Sequence, residues 1–360
     1  MTTVPSPTRR AALAAGLGSF ALLAAGCGER GTIFTLPGGG PLFQGQAMGS
    51  SYTVKIATPR VADATLATAR EAVAAALDHV VRLMSHYDAD SEVSRLNRHP
   101  VGAPFAVSAP TLQVFAVADS VRLASGGAFD VAVGRAVEEW GFGPSERPRR
   151  VLSAHEVQQM QRLHRSEALG LDPRAGSLTR LAPVQANLSG IAKGYGVDRA
   201  AQALDALGLG DYMIEVGGEI RARGRNAEGR PWQLAIERPD AMPQRALHVL
   251  PLTDRSLATS GDYRNFFMHQ GRRYSHEIDP ASAAPVGHAL ASVSVVAADC
   301  THADAWSTAL FVLGPDRGFE TATRHRLAAY FVERQSDGSF RERQTAAFAA
   351  LGGHAAAWTA

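Results

Sequence analysis

The sequence predicts an α+β fold, with helices flanking sheets that are not assembled from regular βαβ units. Three observations carry that expectation. Strand-like runs of period two and helix-like runs of period 3.6 follow one another without alternating. With 360 residues, 46% of them hydrophobic, the chain can bury one large core or two smaller ones. No internal repeat, Walker loop or dinucleotide fingerprint points to a solenoid or a doubly wound nucleotide-binding sheet.

The chain opens with MTTVPSPTRRAALAAGLGSFALLAAGC, residues 1–27, a basic start and an apolar run closing on small residues. This is the pattern of an export signal, too short for a membrane span. Arg9 and Arg10 ahead of the apolar run suit the twin-arginine route, which carries folded proteins. LLAAGC resembles a bacterial lipobox, with Ala24 where that pattern prefers leucine. Cys27 would then be a lipidated N-terminus, and Cys300, the remaining cysteine, a buried small hydrophobe. Residues 28–44, with Pro37, Gly38, Gly39, Gly40 and Pro41, lack periodicity and predict a tether. The folded unit is expected over 45–360.

Within it SYTVKIA predicts a strand and ADATLATAREAVAAALDHVVRLMSHY a long amphipathic helix. APTLQVFAVADSVRLASGG and, after the loop GFGPSERPRR, HEVQQMQRLHRS predict two more helices. VDRAAQALDALG is a fourth. Then come strands in YMIEVGGEIRARG, WQLAIERP and HVLPLTD, a hairpin around HQGRR, and the strand ASVSVVA leading into the apolar helix of HADAWSTALFVLG.

Charge excludes some partners. Thirty-six basic and 34 acidic residues leave the chain past its signal neutral, so neither nucleic acid nor an anionic surface is indicated as main partner. Only Lys55 and Lys193 are lysines, the other 34 cations being arginines. A lysine surviving such a bias suits a place that needs a compact ammonium.

The stretch HADAWSTALFVLG puts Asp304 and Thr308 four positions apart, on one helical face. Thr301 and Asp304 fit a capping box, but capping leaves Thr308 unexplained. Oxygen ligands for a hard cation such as Mg²⁺ are the other reading. NLSGIAKGYGVDRAAQAL sets small residues and Lys193 before an amphipathic helix, where amides and a cation would welcome a phosphate. In EVGGEIRARG, Gly217 and Gly218 interrupt a strand, the mark of a bulge or of a ligand near the backbone. RRYSHEIDP supplies His276 and Asp279, and LATSGDYRNFF supplies Thr259, Ser260 and Asp262. A histidine facing such a site titrates in the range useful for proton transfer.

Taken in order, QAMGSSY, LMSHYDADSEVSRLN, GGAFDVAVGRAVEEWGFG, GIAKGYGVDRA, IEVGGEIRARG, LATSGDYRNFF, YSHEIDP and ADAWSTALFVLG resemble the motifs of the ApbE family of flavin transferases. The resemblance runs from Gly45 to about Gly314. It implies mixed sheets with flanking helices, a flavin site in the cleft between the two halves, and a periplasm-facing enzyme. Such an enzyme moves FMN from FAD onto a threonine hydroxyl of an acceptor protein with Mg²⁺ and releases AMP. The implied acceptors are flavoprotein subunits of membrane redox pumps and related electron-transfer proteins. For the flavin it implies Met48, Tyr87, Ala128, Phe129, Asp130, Asn187, Lys193, His276 and Ile278. For the metal it implies Asp304, Ser307, Thr308 and a main-chain oxygen near Gly190. Lys193 would balance phosphate charge, and His276 would serve as base, with Asp262 and Asp279 as competitors. Three positions depart from the family pattern: Asn187 stands for a frequent aspartate, MGS for MGT, and ASAAP for a Thr-Gly loop.

Overall fold

The computed structural model describes residues 33–35, 40–58, 60–145, 147–163, 168–240 and 244–356. The export signal and Cys27 lie outside the described residues, as does the end of HEVQQMQRLHRS. The core is a nine-stranded sheet in which every neighbouring pair is antiparallel. Its spatial order begins Ile33–Thr35, Pro41–Ala47, Ser50–Ile56, Tyr212–Val216 and Glu219–Arg223. It ends Arg255–Gly261, Leu290–Ala297, Ala328–Arg334 and Phe340–Gln344. The mixture of this sheet with long helices is the expected α+β architecture.

Two expectations change here. The sheet begins inside the stretch read as tether: Pro41–Ala47 pairs along Ser50–Ile56, and Phe43 is fully buried. Pro41 opens this strand, and residues 36–39 lie outside the described residues. Gly217 and Gly218 are not a bulge either. Val216 pairs with Glu219, so the two glycines are the two-residue loop of a hairpin. Both have positive φ, 58° and 108°, the conformations that a primed turn demands and glycine supplies without strain.

Both faces of the sheet are covered, and side chains alternate between them as the period of two requires. Val293 and Val295 pack on Phe311 and Leu310 of the helix Cys300–Leu313, while Val296 faces a second cluster with Trp232, Leu250 and Phe348. Phe331 and Tyr330 divide in the same way. The second face is closed by a three-stranded sheet of His354–Ala355, Ala246–Leu252 and Trp232–Glu237. Beside Cys300–Leu313 lie the helices Ala192–Ala206 and Asp63–Met84, joined through Leu66, Val73, Leu77, Val197 and Leu204. Their apolar stripes match the predicted periodicity.

The N-terminus of Cys300–Leu313 is capped by carboxylates other than Asp304. Asp299 accepts from the His302 amide at 2.9 Å. Asp198 accepts from the amides of Cys300 and Thr301, both at 2.8 Å, and from the Thr301 hydroxyl at 2.6 Å. Four polar hydrogens at one helix end are thus satisfied from outside. The capping-box reading of Thr301 and Asp304 therefore fails, and Asp304 is left for another task.

Candidate functional site

That task is set by a close crossing of two helices. Gly190, just before Ala192–Ala206, lies against Thr308: a Cβ built on it would sit 3.0 Å from Thr308 Oγ1 and 3.2 Å from a ring carbon of Phe129. Four residues on, a Cβ at Gly194 would sit 2.3 Å from the Cys300 carbonyl oxygen and 2.7 Å from Asp304 Cβ. Four residues is about one helical turn, so the pairs 190–308 and 194–304 meet one turn apart on both helices. Only hydrogen fits at Gly194. The Gly194 amide donates to Asp304 Oδ2 at 2.8 Å, so a first-turn amide that lacks a helical acceptor finds a carboxylate.

Oxygen atoms collect at this crossing. Ser260 Oγ lies 2.8 Å from Ser307 Oγ and 3.1 Å from Thr308 Oγ1, and the Ser307 hydroxyl donates to the Asp304 carbonyl at 2.9 Å. Asp304, Ser307 and Ser260 are buried. Lys193 Nζ donates to Glu219 Oε2 at 2.7 Å, and Glu219 is buried immediately after the glycine hairpin. Burial disfavours the Lys193 charge, but Glu219 and Asp304 outweigh it and hold the ammonium protonated. Burial pushes the Asp304 carboxyl well above the usual carboxylate range, with Glu219 adding repulsion and Lys193 opposing both. Glu277, also buried, is pushed by burial to about 8. One lysine thus faces three buried carboxyls, all held above the usual carboxylate range because their ionised forms lack compensation that a further cation would give.

Met48 packs against the same Ala192–Ala206 helix at Gly196. It occupies a two-residue turn between strands at φ 54°, uncommon for a residue with a side chain, and its sulfur lies where a Cβ on Gly196 would be, 2.7 Å away. Ser50 and the Lys193 stem line Gly217. Asn187 orders the loop before Gly190, accepting from the Ser189 amide at 2.8 Å and donating its own amide to Val131 at 2.7 Å. Ala128, Phe129 and Asp130 are buried, and Asp130 accepts from the Ala132 amide at 2.8 Å. Residues from both halves of the chain therefore converge.

An aromatic arm extends from the crossing. Tyr87 is 64% exposed, so its ring is free to meet a ligand, and its hydroxyl donates to the Phe142 carbonyl at 3.4 Å. The Phe142 ring lies 6.4 Å from the His276 ring, edge on. His276 Nδ1 is 3.2 Å from the Asn265 carbonyl, which can only accept, so that nitrogen carries the hydrogen and Nε2 keeps its lone pair. The surrounding protein desolvates the His276 ring and lowers it to about 4, although the side chain stays 38% exposed; the Asn265 carbonyl opposes the effect and Lys193 adds to it. Nε2 lies 3.7 Å from Glu277 Oε1. Ile278 instead packs with Trp140 and Phe142 in a separate apolar cluster. Asp279 accepts from the amides of Ala281 and Ser282, at 3.0 and 3.2 Å, which hold it in its own turn. Asp262 is held by Arg334 and Arg273.

Sequence reasoning missed Glu219, Glu277 and Asp198. Glu219 had a signal, since it follows the glycine pair. Among the described residues no three His, Cys, Asp or Glu side chains cluster as a metal site, so any cation here would rest on hydroxyl and carbonyl oxygens besides one carboxylate.

Comparison with known proteins decides the family: the ApbE family model matches residues 48–331. The chain belongs to the ApbE family. An ApbE relative from Haemophilus influenzae, an FAD:protein FMN transferase, is 39% identical over 338 residues, 92% of this chain and 95% of that protein. The FAD:protein FMN transferase of Escherichia coli K12 is 31% identical over 82% of this chain and 85% of its own length. Among solved structures, the apo flavinyl transferase ApbE of Pseudomonas stutzeri superposes with a TM-score of 0.78 at 36% identity, covering 89% of this chain and 97% of that one. The helix crossing, Lys193 and His276 all fall within the matched segment.

Proposed function

We propose that this chain is an FAD:protein FMN transferase, joining the FMN half of FAD to a threonine hydroxyl of an acceptor protein and releasing AMP. The observation that carries this reading is the crossing of Gly190 and Gly194 with Thr308 and Asp304, which sets an oxygen-only donor group beside Lys193. Those donors suit a hard cation such as Mg²⁺: Asp304, Ser307, Thr308 and the main chain near Gly190 would hold it. The excess buried carboxyl character around Lys193 supports a cation there. Bound Mg²⁺ would supply neutralisation of pyrophosphate charge.

The chain's own groups then divide the work. Lys193, kept charged by Glu219 and Asp304, faces phosphate oxygens and stabilises charge on the departing AMP. Tyr87, Phe129 and Met48 supply aromatic and sulfur surface for the isoalloxazine ring. His276 Nε2, neutral and fixed in one tautomer, accepts the proton as the threonine oxygen bonds to the FMN phosphorus and the bridging P–O bond to AMP breaks. Residues 1–27 and Cys27 support a lipid-anchored enzyme on the periplasmic side, exported by the twin-arginine route and acting on flavoprotein subunits of membrane redox pumps.

The test is incubation of the purified protein with FAD, Mg²⁺ and a candidate acceptor, followed by mass spectrometry. Transfer adds one FMN to an acceptor threonine and yields AMP in equal amount. Free FMN forming at one rate with and without a good acceptor would make the enzyme an FAD pyrophosphatase instead.

A further inference from the structure

A second polar cavity, of about 140 Å³, opens one helical turn beyond Thr308, where Phe311 forms part of its wall. Arg272, Arg273 and Arg334 line it together with Asp262, Ser275 and His288. Three guanidinium groups meet a single lining carboxylate. Asp262 is already held by Arg334 through two bonds of 3.0 and 3.1 Å and by Arg273 at 3.3 Å. Arg272 makes no bond to it; its guanidinium stacks 5.1 Å from the Tyr274 ring and reaches over Gly287. Arg273 is likewise steadied 4.2 Å above Phe266. The cations are thus positioned by aromatic rings and keep donors to spare.

A polar group without a partner points the same way. Ser275 is 3% exposed, yet its hydroxyl has no hydrogen-bond partner among the described residues. A buried hydroxyl of this kind stays unsatisfied unless a ligand or water completes it. A guanidinium fork completes an oxyanion bidentately. With three positive charges against one negative, the lining carries a surplus of two, which matches the charge of a phosphate dianion better than that of a carboxylate.

We infer that this cavity is a binding site for a phosphate group, presented as the free ion or as a monoester, separate from the Asp304–Thr308 crossing and independent of the FMN-transfer reading. Arg272 and Arg273 grip its oxygens, the Ser275 hydroxyl donates to it, and Asp262 holds Arg334 and Arg273 in place.

The experiment is calorimetric titration of the full chain, without FAD or Mg²⁺, with inorganic phosphate, phenyl phosphate, acetate and, at matched ionic strength, chloride. Saturable phosphate binding is expected, weakened at least tenfold in Arg272→Gln and in Ser275→Ala and unchanged in Asp304→Ala. Arg272 is exposed and Ser275→Ala removes only a hydroxyl oxygen that has no hydrogen-bond partner, so both variants should stay folded, with a melting temperature close to the native one. Tighter binding of phenyl phosphate than of inorganic phosphate identifies the occupant as a monoester, and the reverse identifies the free ion. Equal response to chloride, equal binding of acetate, or phosphate binding untouched by both variants would overturn the assignment.

Discussion

Asp304 and Thr308 carry the sharpest expectations. Replacing Asp304 with Ala should abolish Mg²⁺-dependent turnover, and Thr308→Val should weaken Mg²⁺ affinity while leaving some activity, since a hard-cation site loses affinity with each oxygen removed. Circular dichroism should find both proteins folded. An Asp304→Ala enzyme with normal turnover would remove the metal assignment. For His276 the sign follows from its desolvation. A pKa lowered to about 4 means that the neutral base survives as pH falls through the ordinary histidine range. The acid limb of kcat/KM should therefore lie near pH 4 and not near 6.5, and His276→Asn should lose that limb together with roughly 10²–10⁴ of the rate. A limb centred at 6.5 would mean that the imidazole is solvated in the working enzyme. The pairing of Asp304 with Thr308 was legible in the sequence because helical spacing alone places them on one face. Lys193 was legible because the chain holds so few lysines. Glu277 was not, because nothing local to a glutamate tells whether the fold will bury it, and Glu219 had as its signal its place after the glycine pair.

At the scale of elements, the crossing of Ala192–Ala206 with Cys300–Leu313 depends on glycine. Gly194→Ala would drive a methyl into the Cys300 carbonyl, at a cost of roughly 1–3 kcal/mol, and push Asp304 away from the amide it accepts from. Thermal unfolding and Mg²⁺ titration should show both a lower Tm and weaker metal binding. Gly210→Ala is the control: nothing lies within 4 Å of the added carbon, and both quantities should stay at the native values. Helices with strong apolar stripes, such as Asp63–Met84, were readable from periodicity. The errors fell where local composition competes with distant partners. Pro41–Ala47 resembles a linker until Ser50–Ile56 pairs with it, and Thr301 resembles a cap until Asp198 arrives from 103 residues away.

For the whole molecule, the first 27 residues predict where it works. Mass spectrometry of the mature protein should find the N-terminus at Cys27 carrying lipid; an unmodified Cys27, or cleavage elsewhere, would release the enzyme from the membrane. The topology adds a constraint on timing. Lys193 and Glu219 are 26 residues apart, whereas Gly194 and Asp304 are separated by 110. Closing the shorter loop costs less entropy, and contacts between distant segments slow folding. In refolding experiments the lysine–glutamate pair should form before the helix bearing Asp304 docks, so amide-exchange protection of the hairpin of Tyr212–Val216 and Glu219–Arg223 should precede the recovery of Mg²⁺-dependent turnover. Simultaneous recovery of both signals would rule this order out. A newly made chain would then stay inert until the helix Cys300–Leu313 docks, leaving the FAD of the compartment where it is synthesised intact while it folds.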